Sequence, residues 1–457
     1  MKTEDRPDFT EQNQSNRGGN VFMSSIALSA IAIVVAIALF VYLCMKGVNA
    51  IVVCVLSAAL VSLFAIGGFE ENFFSVFMSG TTGFMTNMLL IYISGAIFGG
   101  ILNESGCNDR IGRTMVKIFG KDKVSFVIMV FALVIAATGV SPIVIVSYLA
   151  FGLLKQANLP RYIGMVAMAG SMVLTQQVIP GVAGLANTIP TMFLGTDLYA
   201  APVIGIPCAI LGFILITLYV RYLTKKAEKN NIGYDPMPGD IQELRAEDDI
   251  PPFGIAILPI IFILAFCFVA IIGFGMSSIN AVVYSGFGAA ILCFITCYKY
   301  IHVNKFTVWH TALMQLIPCF IATPIVVGFA SVVQNTECYN AVVGAIMRMN
   351  LNPYVLIVIG TTLLCILCAD CLGGSAAFLA MMGQHLIEMG AAPAAIHRLC
   401  LITSSAFDSM PHNGSIMMIL MCYGYEHKDG YKYLLVSNIA IPMAMTILGM
   451  IIAMIVY

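Results

Sequence analysis

Runs of apolar side chains long enough to cross a lipid bilayer recur from Ile26 to the last residue, Tyr457. The first, Ile26 to Met45, is 20 residues long. At 1.5 Å per residue a run of that length covers about 30 Å, the thickness of the hydrocarbon core. Simple counting gives 12–14 such hydrophobic segments. Composition agrees: 60% of the chain is hydrophobic and 10% is charged, against about 25% charged in soluble domains. The 22 basic and 23 acidic residues leave a formal charge of −1. That balance excludes a basic nucleic-acid binder, an acidic tail protein and a disordered chain. Most of the 14 Cys residues, Cys44, Cys54, Cys208, Cys267, Cys293 and Cys297 among them, sit inside apolar runs. There they act as small apolar side chains rather than as a disulfide framework. The chain reads as an all-α polytopic membrane protein.

The first 25 residues are polar and mixed in charge, without the basic start, short apolar core and cleavage site of a signal peptide. The first apolar run is therefore expected to stay as a membrane helix. One long polar segment, 221–250, divides the chain near its middle. The expected organisation is a polar tail (1–25), a first transmembrane repeat (26–220), a cytoplasmic linker (221–250) and a second repeat (251–457).

The halves match at a nearly constant offset. Asn103 pairs with Asn335 (335 − 103 = 232) and Cys107 with Cys338 (338 − 107 = 231). Pro160 pairs with Pro393 (393 − 160 = 233) and Pro180 with Pro411 (411 − 180 = 231). Loop 103–123 carries Arg110, Arg113, Lys117, Lys121 and Lys123, whereas its mate 335–352 carries only Arg348. Basic loops stay in the cytoplasm, so equivalent loops of opposite bias imply two inverted-topology repeats. The apolar run 124–157 breaks at Thr138-Gly139-Val140-Ser141-Pro142, and its mate breaks between Cys368 and Ser375. Polar, irregular backbone at membrane depth is tolerated where it lines a cavity, so both are expected to be re-entrant hairpins. The topology is about 10 transmembrane helices plus two hairpins, with both termini outside.

Two further breaks follow, Val178 to Pro190 and Phe407 to Ser415. Proline stops a helix, and a stop followed by a restart exposes carbonyls and then amides. Freed carbonyls suit a cation and freed amides an anion. No Lys or Arg falls within the four breaks, so a carboxylate would be held by amides, hydroxyls and side-chain amides. The candidates are Thr138, Ser141, Asn187, Thr188, Gly374, Ser375, Ser409, Asn413 and Ser415. An ionisable group at this depth costs about 2.5 kcal/mol or more. That singles out Asp408, with His412 as its partner and Asp370 as second choice, for the coupling ion. Gln176 and Gln177 either line the pathway or bond between helices, and Arg398 either attracts substrate or snorkels. The C-x-x-C of Cys368 and Cys371 lacks a second pair, so no metal and no cofactor is expected. There is no Walker A sequence to drive transport with ATP.

Ala395-Ile396-His397-Arg398 followed by Phe407-Asp408-Ser409-Met410-Pro411-His412-Asn413-Gly414 resembles the C-terminal signature of the gluconate permease (GntP-type) family of carboxylate symporters. Asn103-Glu104-Ser105-Gly106 and Gly373-Gly374-Ser375 agree with it. The resemblance implies a bacterial inner-membrane permease that takes up a small organic acid anion with a cation, H⁺ or Na⁺. The family's His- and Pro-rich first-half break is here Thr175-Gln176-Gln177-Val178-Ile179-Pro180-Gly181. The acid therefore stays open among gluconate, related sugar acids, hydroxybutyrate-like and citrate-like acids. The other partner expected is membrane lipid, with homo-oligomer and monomer both open. An intramembrane hydrolase using Asp408, Ser409 and His412 is the alternative of another class, and it would need nucleophile–base geometry and an oxyanion site. A channel would want rings of pore-lining groups instead.

Overall fold

The computed structural model describes residues 9–137, 141–182, 184–237, 245–305, 307–314 and 317–457, and helices are the only regular structure among them. The first half runs α1 (Phe9–Met45), α2 (Ala50–Ser62), the single turn α3 (Gly68–Glu70), α4 (Phe77–Glu104), α5 (Cys107–Phe119), α6 (Val124–Ala137), α7 (Ile143–Ala157), α8 (Arg161–Val173), α9 (Leu185–Leu194) and α10 (Pro202–Lys229). The second runs α11 (Phe253–Phe268), α12 (Ser278–Thr296), α13 (Thr307–Met314), α14 (Ile317–Gln334), α15 (Glu337–Met347), α16 (Pro353–Cys368), α17 (Cys371–Glu388), α18 (Pro393–Phe407), α19 (Gly414–Cys422), α20 (His427–Leu435) and α21 (Ile441–Val456). Five helical stretches are by themselves long and apolar enough to span, and the α3–α4 segment, bent by 50°, is a sixth. The remaining apolar helices are shorter because Pro, Gly and polar breaks interrupt them. The outer face of α10 exposes Val203, Ile206, Ile210, Ile214 and Leu218, a stripe at helical spacing that faces lipid.

The duplication is visible element by element. Helix α5 corresponds to α15 (337 − 107 = 230), α8 to α18 (393 − 161 = 232) and α9 to α19 (414 − 185 = 229). Packing follows the same pairing. Helices α1 and α2 of the first half lie on α15 and α14 of the second, while α11 and α12 lie on α5 and α4. At the centre α4 crosses α14 closely: a Cβ on Gly328 would lie 2.6 Å from the Phe77 carbonyl oxygen. Small residues let the two backbones approach there.

The repeats are inverted. Near the start of the apolar stretch of α1, Ser25–Met45, the Ser29 hydroxyl accepts the Cys338 amide of α15 at 3.0 Å. At its other end, Gly47 lies beside Glu426 and Lys428. That second end is also the linker face. Asp235 of the linker meets Tyr425 and Arg161, and Arg110 and Arg113 of α5 pair with Glu247. So α5 and α15, mates in sequence, sit at opposite ends of α1.

Both hairpins return to their own face. Helices α6 and α7, of 14 and 15 residues, reach about 21–23 Å, short of the bilayer core. Asn158, just past α7, accepts the Tyr234 amide on the linker face, where α5 also lies. In the mate, the start of α16 touches the end of α17 through the Ala392 amide and the Tyr354 hydroxyl.

Candidate functional site

Each half delivers two helix restarts to the centre of the molecule. In the first half Ser141 and Pro142 precede α7, and Gly184 precedes α9. Thr138 lies outside the described residues. In the second half Ala369 and Asp370 separate α16 from α17, and the break Asp408 to Asn413 separates α18 from α19. Asp370 caps α17 by accepting the Gly373 amide at 2.5 Å, and Asn413 caps α19 by accepting the Ile416 amide at 2.8 Å. A short polar side chain at a cap satisfies one of the amides a new helix leaves free. The Asn413 side-chain amide also donates to the Ala369 carbonyl at 2.6 Å. That bond ties the two second-half breaks together at a residue with φ of 46°, a left-handed conformation that costs a non-glycine residue about 1–3 kcal/mol.

A cavity of about 530 Å³ lies where these breaks meet, within the usual range for a small-molecule site of about 300–1,000 Å³. The structure brings Ser141, Thr188, Asp370, Asp408, Ser409, Asn413 and Ser415 to its wall. First-turn residues of α7, α9, α17 and α19 all face it, so four helix N-termini converge on one space. Each carries roughly half a positive charge. Among the described residues no Lys, Arg or His lines the cavity, and Asp370 and Asp408 are the only charged groups in its wall. The Asp408 carboxylate accepts the Ser409 hydroxyl at 2.8 Å and the Gln177 side-chain amide at 3.2 Å. Gln176 and Gln177 reach the cavity from a π-helical turn, Leu174–Val178, that continues α8; such turns often mark functional sites. Thr323, Ser331 and Gln334 of α14, with Ser277 and Asn438, add further polar groups to the lining.

The other sequence candidates lie elsewhere. Asn187 donates to the Val182 and Leu198 carbonyls and meets His397 at 3.1 Å, holding the start of α9. Gly374 packs on α16, where a Cβ would lie 2.6 Å from Cys365 Sγ. The Ser375 hydroxyl turns back to the Cys371 carbonyl. The His412 ring stands edge-on to Phe40 and Phe329, outside the cavity wall, and neither nitrogen has a hydrogen-bond partner of ordinary geometry. Asp408, Ser409 and His412 thus make no nucleophile–base pair: the Ser409 hydroxyl is given to Asp408.

Two arginines brace the breaks rather than line the cavity. Fully buried Arg398 of α18 donates from Nε to the Ala200 carbonyl at 3.1 Å and from Nη2 to the Leu198 carbonyl at 3.0 Å. Arg161 of α8 donates to the Tyr423 carbonyl at 2.6 Å. Each repeat thus holds the chain just after the other's short broken helix. His427 and Tyr431 of α20 take the Pro411 and Ser409 carbonyls. None of these long-range partners follows a sequence spacing.

The profile of the GntP family permeases matches residues 26–455. An uncharacterised transporter of Bacillus subtilis, YxjC, is 25% identical across 89% of this chain and 94% of its own. The high-affinity gluconate transporter of Escherichia coli is 25% identical over 51% of this chain and 51% of its own. The Gnt-II system L-idonate transporter of the same organism is 28% identical over 47% and 48%. With nearly its whole length matched, from the first apolar helix to the last, this multi-pass membrane protein belongs to the GntP permease family.

Proposed function

We propose that this chain is a secondary transporter that moves a small organic acid anion, gluconate or a related sugar or hydroxy acid, together with a proton across a bacterial inner membrane. The observation that carries the reading is the central cavity, where four helix N-termini face two carboxylates and no basic side chain lines the wall among the described residues. The amides of α7, α9, α17 and α19 suit the substrate carboxylate. Ser141, Thr188, Asn413 and Ser415 supply hydroxyl and amide groups for the rest of the anion. Asp408 is the group that takes the coupling proton. Buried without a basic partner, its negative charge needs compensation, and an anion bound beside it raises that need. Proton and substrate therefore favour one another's binding by the same factor. Asp370, already engaged as a helix cap, takes a positioning role. Rocking of the two inverted halves about the cavity would open it to either face in turn. The basic side chains of the linker face put that face in the cytoplasm.

The test is uptake of labelled acid into proteoliposomes under an imposed pH or Na⁺ gradient. Wild-type protein should concentrate the acid against its gradient when the lumen is alkaline. Asp408→Asn should lose that accumulation yet retain downhill exchange. Accumulation by Asp408→Asn equal to wild type overturns the assignment of Asp408. Uptake that follows Na⁺ and ignores pH replaces the proton with sodium.

A further inference from the structure

Far from the substrate cavity, three buried thiols from both halves of the chain converge. Cys107 is the first residue of α5, Cys293 lies in the last turn of α12, and Cys297 caps that helix one turn on, its amide donating to the Cys293 carbonyl. All three are fully buried. Cys107 Sγ lies 3.4 Å from Cys297 Sγ and 4.0 Å from Cys293 Sγ, and the three sulfurs all lie within 4.8 Å of one another. The Ser105 hydroxyl is 3.1 Å from Cys107 Sγ and 3.7 Å from Cys293 Sγ. Thiolates on one zinc ion, at bonds of about 2.3 Å and tetrahedral angles, stand about 3.8 Å apart. The two sulfur separations bracket that value, and the Ser105 oxygen lies beside two of the three sulfurs.

We propose that Cys107, Cys293 and Cys297 form a zinc site, with Ser105 or a water at the fourth position. Three thiols lose their protons to solvent and form three S–Zn bonds, leaving the site with one negative charge. A monovalent soft ion such as Cu⁺ on the same three thiolates would leave two, which is costlier in a buried site. Cys107 stands at a helix N-terminus, where the helix dipole favours a thiolate. The turn that carries it is covered by Ile250 and Arg245, which come within 3.4 Å of a Cβ built on Gly106; the Arg245 guanidinium is itself paired with Glu104 at 3.6 Å. The bound ion would clamp α5 of the first repeat to α12 of the second. The other end of α12 reaches the cavity through Ile279 and Val282, so the clamp holds one wall of the transport site.

Purified full-length protein in detergent, stripped with a chelator, should be titrated with Co²⁺ as a spectroscopic stand-in. The expected result is about one Co²⁺ bound per chain with release of protons and a thiolate-to-cobalt charge-transfer band, the band then being lost when Zn²⁺ displaces the Co²⁺. Cys293→Ala and Cys297→Ser should each lose the band at an unchanged gel-filtration profile, whereas Cys338→Ala, outside the cluster, should keep it. No thiolate band in the wild-type protein overturns the proposal, whatever the variants do. So does a band that persists in both cluster variants, or mass spectrometry showing a Cys107–Cys297 disulfide in the protein as isolated.

Discussion

Truncating Asn413 to Ala should separate the two roles that its side chain combines. One is the cap: losing an N-cap acceptor costs about 1 kcal/mol. The other is the bond to the Ala369 carbonyl, a buried acceptor that would be stranded at about 1–3 kcal/mol. Asn413→Ala should therefore destabilise the fold by about 2–4 kcal/mol. It should also loosen the first turn of α19, whose amides face the cavity. If those amides bind the anion, each 1.4 kcal/mol lost from binding is tenfold, and KM for uptake should rise by about tenfold or more. Asn413→Asp is the discriminating variant. It keeps the cap acceptor, loses the donor to Ala369 and places a negative charge at the anion site. Its cap, about 1 kcal/mol, is outweighed by a buried carboxylate facing the Ala369 carbonyl, about 2.5 kcal/mol or more, so it should be no more stable than Asn413→Ala and transport no better. Unfolding followed in detergent and uptake kinetics in proteoliposomes give the two readouts. If Asn413→Asp keeps wild-type KM, the α19 N-terminus does not bind the anion. If Asn413→Ala is neither less stable nor weaker in KM, the accounting for both bonds fails.

Arg398→Lys should destabilise the protein by about 1.5–3 kcal/mol for each charge-assisted bond lost from the fork on the Ala200 and Leu198 carbonyls, read as earlier thermal aggregation in detergent. Gly374→Ala should cost about 1–3 kcal/mol by overpacking α17 on α16; a Cβ there would also lie 2.9 Å from Cys365 Cα, so wild-type stability would show that the hairpin yields. On the linker, hydrogen bonds from Arg113 and then Arg110 hold the Glu247 carboxyl below its usual range. A lowered folded value means the contact stabilises above the unfolded value, about 4.3, and is lost as pH falls through the folded one. Hydrogen exchange in 245–250 should accelerate as pH drops below that range after correction for intrinsic rates, and Glu247→Gln should remove the pH dependence.

Large parts of this architecture were legible in the sequence because they depend on local chemistry. Pro160 and Pro393 stand just before α8 and at the start of α18, and the Pro411 break separates α18 from α19, as proline's missing amide requires. The inverted charge bias of loops 103–123 and 335–352 matches their placement at opposite ends of α1. Asp408 sits in the cavity wall. Side-chain direction within a break was not legible. Asn187 and Thr188 are neighbours inside α9, yet only Thr188 faces the cavity, because successive residues of a helix point about 100° apart and the sequence did not show where α9 restarts. His412 was linked to Asp408 by proximity in sequence, but its ring packs against Phe40 of α1 and Phe329 of α14, 372 (412 − 40) and 83 (412 − 329) residues away. Arg398 offered two readings, attraction and snorkelling. The structure shows a brace on the chain after α9, which only the tertiary fold provides.

The exchange of α1 and α2 onto the second repeat sets a timetable for biogenesis. Helix α2 packs on α14, and about 255 residues separate Ser62 from Ile317. At roughly 5–20 residues per second of synthesis, α2 waits on the order of 13 to 50 s for its partner. During that interval Phe40 and Cys54, which meet His412 and the Ile325 carbonyl in the finished molecule, have only lipid or an insertion factor to cover them. The first half cannot reach its native state before the second is made. A nascent chain arrested within the linker should therefore expose Cys54 to a membrane-permeant thiol reagent, and release of α14 from the ribosome should close it.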